Sequence, residues 1–470
     1  MDTPIVDFVR RYAQQRTTRM HMPGHKGCGP LGCEALDITE IAGADELYEA
    51  EGIIARSEAN AAQLFGTART YYSTEGSSQC IRAMLHLALQ MRPAKAGRPV
   101  LLAARNAHKA LLYAAALLDF DIQWLWPAPD AAGALCTCPV EPEALACALD
   151  GLTAEGRTPF GVYLTSPDYL GFVQDIAGLA AVCHAHGVPL LVDNAHGAYL
   201  HFLKEGSRHP LQLGADLCCD SAHKTLPVLT GGAYLHLGPS VQADEAAVRN
   251  ALALFGSTSP SYLILQSLDA ANARLADDFR EKLALCRWRL GMLCRELDAF
   301  RPGLALPLTG AHREPLKLTL DAAVLGLSGQ QLAQALRERG VECEYADPRY
   351  LVLMPSPESS AEDFARLQKA LHALCAEASS AAPASDSDAA AFAALAEALQ
   401  AQPRPAAIRE AVLAPQEMVP AAEAVGRICA APAVSCPPAV PIVVSGEVIP
   451  AQALPLFARY GIGRVAVVKD

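Results

Sequence analysis

Val188-Pro189-Leu190-Leu191-Val192 is apolar at every position, and Asp193 follows it at once. A run of this kind, with no polar alternation, suits a strand covered on both faces in a parallel sheet and does not suit one open to water. The preceding chain repeats the theme. Segments 69–72, 100–103, 121–126 and 161–165 read as strands, and 79–91, 108–118, 143–149 and 175–186 read as helices between and after them. Such alternation predicts a doubly wound α/β domain, whose ligands sit beyond the carboxyl ends of its strands.

The remaining chain divides by composition. At 470 residues it exceeds one average domain, and 51% hydrophobic with 19% charged residues suits buried cores and not a disordered chain. The expected division is an N-terminal arm (1–30), a large domain (31–270), a small α/β domain (271–378), a linker (379–390) and a C-terminal domain (391–470). Within it, 4–15 reads as a helix, and another begins near Ser57 and stops at Gly66. The stretch 244–288 is largely helical with a break at 257–262, and 316–320, 328–340 and 350–354 form a strand–helix–strand module before a helix at 360–377. The small, polar run Ser379 to Asp388 is the clearest linker.

A formal charge of −12 disfavours nucleic acid and an anionic membrane as partners. No apolar run approaches the roughly 20 residues needed to cross a bilayer. Fifteen scattered cysteines, an odd number, with no signal peptide before them, predict free thiols in a reducing cytoplasm. Cys136/Cys138 and Cys218/Cys219 lack the paired spacing of a zinc site, so no metal is expected.

Chemistry concentrates in Asp220-Ser221-Ala222-His223-Lys224-Thr225-Leu226-Pro227, a turn between two strand-like runs. A lysine there, beside a histidine and a hydroxyl, is suited to form a Schiff base, although an ordinary loop lysine has the same neighbours. Pyridoxal phosphate needs such an amine, a dianion site at a helix N-terminus, a carboxylate for its pyridine nitrogen and a flat group over its ring. Lys224, the helix start at Gly76-Ser77-Ser78, Asp193 and His108 are the candidates, with Ser221 and His223 as further phosphate ligands. Read singly, the same residues are a capped helix, a turn aspartate and a structural histidine. His21-Met22-Pro23-Gly24-His25-Lys26-Gly27 reads alone as an irregular loop able to meet an anion or a neighbouring subunit.

Taken in order, that loop, Arg105-Asn106-Ala107-His108-Lys109, Thr165-Ser166-Pro167-Asp168-Tyr169-x-Gly171, Asp193-x-Ala195-His196-Gly197, Ser221-x-His223-Lys224 and Pro437-Pro438-x-x-Pro441 with Gly446-Glu447 resemble the bacterial ornithine/lysine/arginine decarboxylases. The resemblance is to the short form, without the N-terminal wing domain of the inducible members. It implies fold-type I architecture, like aspartate aminotransferase, in a homodimer or higher even assembly with sites at subunit interfaces. It implies decarboxylation of a basic amino acid, arginine before lysine or ornithine, to agmatine or a diamine for polyamine synthesis. In that reading Lys224 carries the cofactor, His108 stacks on its ring, Asp193 keeps the pyridine nitrogen protonated and His196 supports that side. Ser77, Ser78, Ser221 and His223 hold the phosphate, and Lys224 or His223 protonates Cα after CO2 leaves. Glu447 is the candidate for the substrate's distal cation, with His25, Lys26 and Asp45 (then Glu46) as lesser substrate contacts. Three positions depart from the family pattern: Glu75 where an asparagine-type residue is usual, Asn194 where an acid is common, and Ser445 where proline precedes Gly446-Glu447. An aminotransferase or aldolase-type lyase of the same fold, or a non-catalytic regulatory homologue, is the alternative.

Overall fold

The computed structural model describes residues 1–94, 97–127, 137–307, 310, 312–378, 387–402, 404–435 and 441–469. Most of the expected linker and the Pro437-Pro438 half of the last motif, as well as Cys136, lie outside the described residues. The chain divides into two compact units, one of residues 1–95, 160–164 and 176–281, the other of 96–159, 165–175 and 282–470.

In the first unit, five strands lie in the order β1 (Arg69–Ser73), β7 (Ala233–Leu237), β6 (Leu217–Asp220), β5 (Leu190–Asp193), β4 (Val162–Thr165). β5 and β6 run parallel, but β7 is antiparallel to both β6 and β1. The sheet is therefore mixed and not wholly parallel. Residues 221–232 explain this: they hold only a one-turn helix, α7 (Ala222–Thr225), too little for a crossover, so the chain turns straight back. Every residue of β5, β6 and β7 is buried, including Asp193, Asp220 and His236, which the otherwise apolar strands carry. Helices α2 (Ile53–Phe65), α3 (Ser77–Met91), α8 (Glu245–Ala253) and α9 (Tyr262–Ala276) complete this unit together with α1 (Pro4–Gln14) and α6 (Ile176–Ala185).

Helix α2 starts four residues before the expected Ser57. Its N-terminus is capped from a distance: the Asp45 carboxylate accepts from the backbone N–H of Gly52 at 2.8 Å and Ile54 at 3.0 Å. Ser57 is instead a buried mid-helix residue, its hydroxyl donating to Asp269 at 2.6 Å. A cap supplied across a loop leaves no mark at the helix start itself.

The second unit carries the parallel pair β2 (Val100–Ala104) and β3 (Asp121–Leu125), with α4 (Lys109–Leu118) and α5 (Pro142–Ala154). Its strand–helix–strand module is the antiparallel sheet β8 (Leu318–Asp321), β10 (Tyr350–Leu353), β9 (Tyr345–Ala346). Leu290, Leu297, Leu332, Leu336 and Leu371 from α10 (Phe279–Phe300), α11 (Gly329–Arg337) and α12 (Ala361–Glu377) pack on it. Residues after α13 (Ser387–Ala401) add two short antiparallel pairs, β11–β14 and β12–β13 (Gln416–Pro420 with Arg464–Val468, Ala433–Ser435 with Pro441–Val444), around a core of Phe392, Leu395, Ile442, Val465 and Val467. Among the described residues no helix is long and apolar enough to cross a membrane, and no cysteine is in a disulfide.

Candidate active site

Two neighbouring strands of the first unit end in buried aspartates. β5 ends at Asp193, β6 at Asp220, and α7 then lifts Lys224 away from the sheet. The Lys224 amine lies 3.1 Å from His196 Nε2, and both side chains are at least partly buried. The Asp193 carboxylate is 3% exposed and accepts from the Tyr163 hydroxyl at 3.0 Å and from Ala195 N–H at 3.1 Å. Tyr163, on β4, was invisible to sequence reasoning, since a tyrosine in an apolar strand carries no motif. The phenol stays protonated because burial and the adjacent Asp193 both push its pKa far up, so it is a dependable donor.

A second cluster forms where α3 begins. Gly76 takes φ +72°, ψ 177°, a conformation open to glycine and strained for other residues, and Ser77 and Ser78 follow as the first helical turn. Gly76 has no side chain to cap that turn, and Gln79 N–H turns back to Gly76 O at 3.2 Å, so the N–H groups of Ser77 and Ser78 point the site at an anion. The Ser221 hydroxyl donates to Ser77 Oγ at 2.7 Å, joining the start of α3 to the Lys224 turn. Gly231 lies close against the residues before α3: Gly76 N–H donates to its carbonyl at 2.7 Å, and a Cβ there would sit 2.9 Å from Thr74 O. His223 Nδ1 contacts Gly232 O at 3.1 Å, which steadies the same turn from the β7 side. The Glu75 carboxylate, unfavourable beside a dianion, turns outward and accepts from Ser257 N–H at 2.6 Å.

The other candidates are placed as follows. His25 faces Asp37 at 3.2 Å, and Lys26, at φ +56°, donates to His21 O. Asp45 caps α2, and the backbone N–H of neighbouring Glu46 donates to it at 3.2 Å. In the second unit, His108 caps α4, its Nδ1 accepting from Ala110 N–H at 3.2 Å. The Glu447 carboxylate that the sequence offered to a substrate cation is held by a guanidinium of the chain itself: Arg105 donates to its two oxygens at 2.7 and 2.9 Å. Arg105 is fully buried between Trp124 and Trp126, 4.9 and 4.6 Å from their ring centres. Arg105 opens the Arg105–Lys109 segment, but nothing local to it signals a partner 342 residues away.

The family description Orn/Lys/Arg decarboxylase, major domain, matches residues 3–287, and that of its C-terminal domain matches 386–460. The chain belongs to the Orn/Lys/Arg decarboxylase family. It is 31% identical to the uncharacterised protein YaaO of Bacillus subtilis over 75% of this chain and 74% of that protein. It is 29% identical to an arginine decarboxylase of the same species over 95% of this chain and 91% of that one. The fold matches that of the constitutive lysine decarboxylase of Escherichia coli with a TM-score of 0.76 at 19% identity, covering 100% of this chain and 82% of that one. This family member is a fold-type I, pyridoxal-phosphate-dependent amino-acid decarboxylase acting on a basic amino acid. Its residues fit the cofactor: an amine in a half-buried turn, a buried carboxylate on the adjacent strand, and an uncapped helix start opened by Gly76 with two serines joined across it.

Proposed function

We propose that the chain decarboxylates arginine to agmatine, ahead of lysine and ornithine, and does so as a homodimer or higher even assembly. The observation that supports the site is the Lys224–His196 contact of 3.1 Å beside buried Asp193, on adjoining strand ends of one sheet. The choice of arginine is supported by the arginine decarboxylase of Bacillus subtilis, which matches 95% of this chain.

Bound in this site, pyridoxal phosphate supplies an electron sink for the bond that releases CO2. Lys224 anchors it through Nζ. Asp193, fixed by Tyr163 and Ala195 N–H, holds a proton on the pyridine nitrogen. The first N–H groups of α3, with Ser77, Ser78 and Ser221, bind the phosphate. His223 and Lys224 are the two groups of the turn able to return a proton to the substrate Cα. His25 faces Asp37, Lys26 donates to His21 O and Asp45 caps α2, so we give the substrate's distal cation no partner among them.

Product analysis tests this reading. Incubation with arginine and pyridoxal phosphate should give agmatine and CO2 in equal amounts, from a protein that sediments as a dimer or larger. Keto acid in place of CO2 would indicate an aminotransferase. A protein that retains the cofactor but forms no product from any basic amino acid would be a non-catalytic homologue.

A further inference from the structure

Asp220 ends β6 one residue before Ser221, and none of it reaches solvent. Four donors converge on its carboxylate. Oδ1 accepts from the Asn194 amide at 2.7 Å and the Cys218 thiol at 3.7 Å. Oδ2 accepts from Nε2 of His209 at 3.0 Å and Nε2 of His236 at 3.2 Å. His209 Nδ1 accepts from Leu211 N–H at 3.4 Å, which leaves its hydrogen on Nε2. An ionised carboxylate only accepts, so His236 also presents Nε2–H to Asp220, with its Nδ1 facing the Thr70 hydroxyl at 2.8 Å.

Ligand atoms of His209, Cys218 and Asp220 lie within 4.8 Å of one another, a spacing a metal ion would also accept. Hydrogen bonds already account for that grouping, because each donor has Asp220 as its acceptor. Burial alone would raise the Asp220 carboxyl, but His209 and His236 outweigh it and hold its pKa well below the usual carboxylate range. A buried anion is the result, and it sits between functional neighbours. Asn194 directly follows Asp193 and also donates its N–H to Cys219 O at 2.9 Å, while Ser221 directly follows Asp220 and reaches Ser77.

We propose that Asp220 is a positioning residue for the cofactor: paired with the Asn194 amide, it locks the ends of β5 and β6 in the register that presents Asp193 and Ser221 to one ligand. The inference rests on the reading of those two residues as cofactor-binding. Its content is the polarity of the pair. Residue 194 must donate because residue 220 is the anion. Reversing both polarities preserves the network: an asparagine at 220 accepts from both histidines through its oxygen and donates its amide to an aspartate at 194. Asn194→Asp alone instead puts two carboxylates within hydrogen-bond distance in the core, where one must keep a proton.

The test titrates apo-protein with pyridoxal phosphate, followed by absorbance across neutral and mildly alkaline pH, alongside the melting temperature of each apo-protein. The proteins are wild type, Asn194→Asp and the exchange Asn194→Asp with Asp220→Asn. The single substitution should bind the cofactor about tenfold more weakly or worse, with the loss growing as pH rises and the retained proton is lost, since one pKa unit is a tenfold change. The exchange should return affinity to within about threefold of wild type and remove the pH slope, a residual difference of about one neutral hydrogen bond. Should Asn194→Asp fail to fold, a folded exchange variant with restored affinity supports the proposal. An exchange variant that folds without binding, or that also fails to fold, overturns it. Unchanged affinity in the single variant at every pH overturns the network alone, whereas a wild-type protein without affinity for pyridoxal phosphate overturns both the network and the site it serves.

Discussion

With 3.1 Å between Lys224 Nζ and His196 Nε2, only one nitrogen can present a hydrogen to the other. An ammonium at Lys224 can only donate, so in that form the histidine accepts and the imidazole's hydrogen sits on Nδ1. The two residues therefore answer differently to truncation. Lys224→Ala should abolish CO2 release and leave no cofactor fixed to the chain after borohydride reduction. His196→Ala keeps the covalent anchor and loses one hydrogen bond, so cofactor affinity should fall by about three- to tenfold, read by absorbance titration. Equal loss in both variants would mean that His196 does more than orient the amine. At this scale the sequence was informative wherever a residue's chemistry is local, as with Lys224 after His223. It was silent on Tyr163 and on Asn194, His209 and His236 as partners of Asp220, because these groups, far apart in the chain, meet only through the fold.

Helix ends show the same division. α3 and α4 begin where Gly76 and His108 lead, since those starts are encoded in the adjacent residues. The start of α2 depends on Asp45, whose carboxylate reaches the N–H groups of Gly52 and Ile54 from across a loop. Asp45→Ala should cost about 1 to 2 kcal/mol of stability, measured from the denaturant midpoint. A larger, substrate-dependent effect with unchanged stability would restore the substrate contact expected from the sequence. Glu447 poses a sharper choice. Its bidentate bond to fully buried Arg105 ties residues near β13 to the loop that carries His108. Glu447→Gln leaves a buried guanidinium half-paired and should destabilise the protein by about 3 to 5 kcal/mol, seen in thermal melting. If melting is unchanged and only KM for arginine rises, the carboxylate serves the substrate and not Arg105.

Across the whole molecule, the α/β class was legible from unbroken apolar strands alternating with helices, because burial on both faces leaves that pattern in composition. The antiparallel β7 was not, since strand direction follows from the short length of 221–232 and not from the strand's own residues. Protonation couples distant parts as well. Burial pushes the Asp269 carboxyl up to about 6, where it accepts from the N–H of Ile5 and Val6 and from Ser57. The folded state thus binds this proton more tightly than the unfolded chain, whose aspartate titrates near about 4. Stability from this group is fullest below that value and declines by about 3 kcal/mol as pH rises through about 6. Asp269→Asn keeps an oxygen for the two N–H groups and should remove this part of the pH dependence, visible as a stability gain over wild type that grows from acid to neutral pH.

The central claim concerns the reaction, and CO2 release from arginine, lysine and ornithine measured side by side, with and without added pyridoxal phosphate, tests it most directly. The account predicts release that depends on the cofactor, fastest from arginine and absent in Lys224→Ala. No release from any of the three by cofactor-loaded wild-type protein would contradict it.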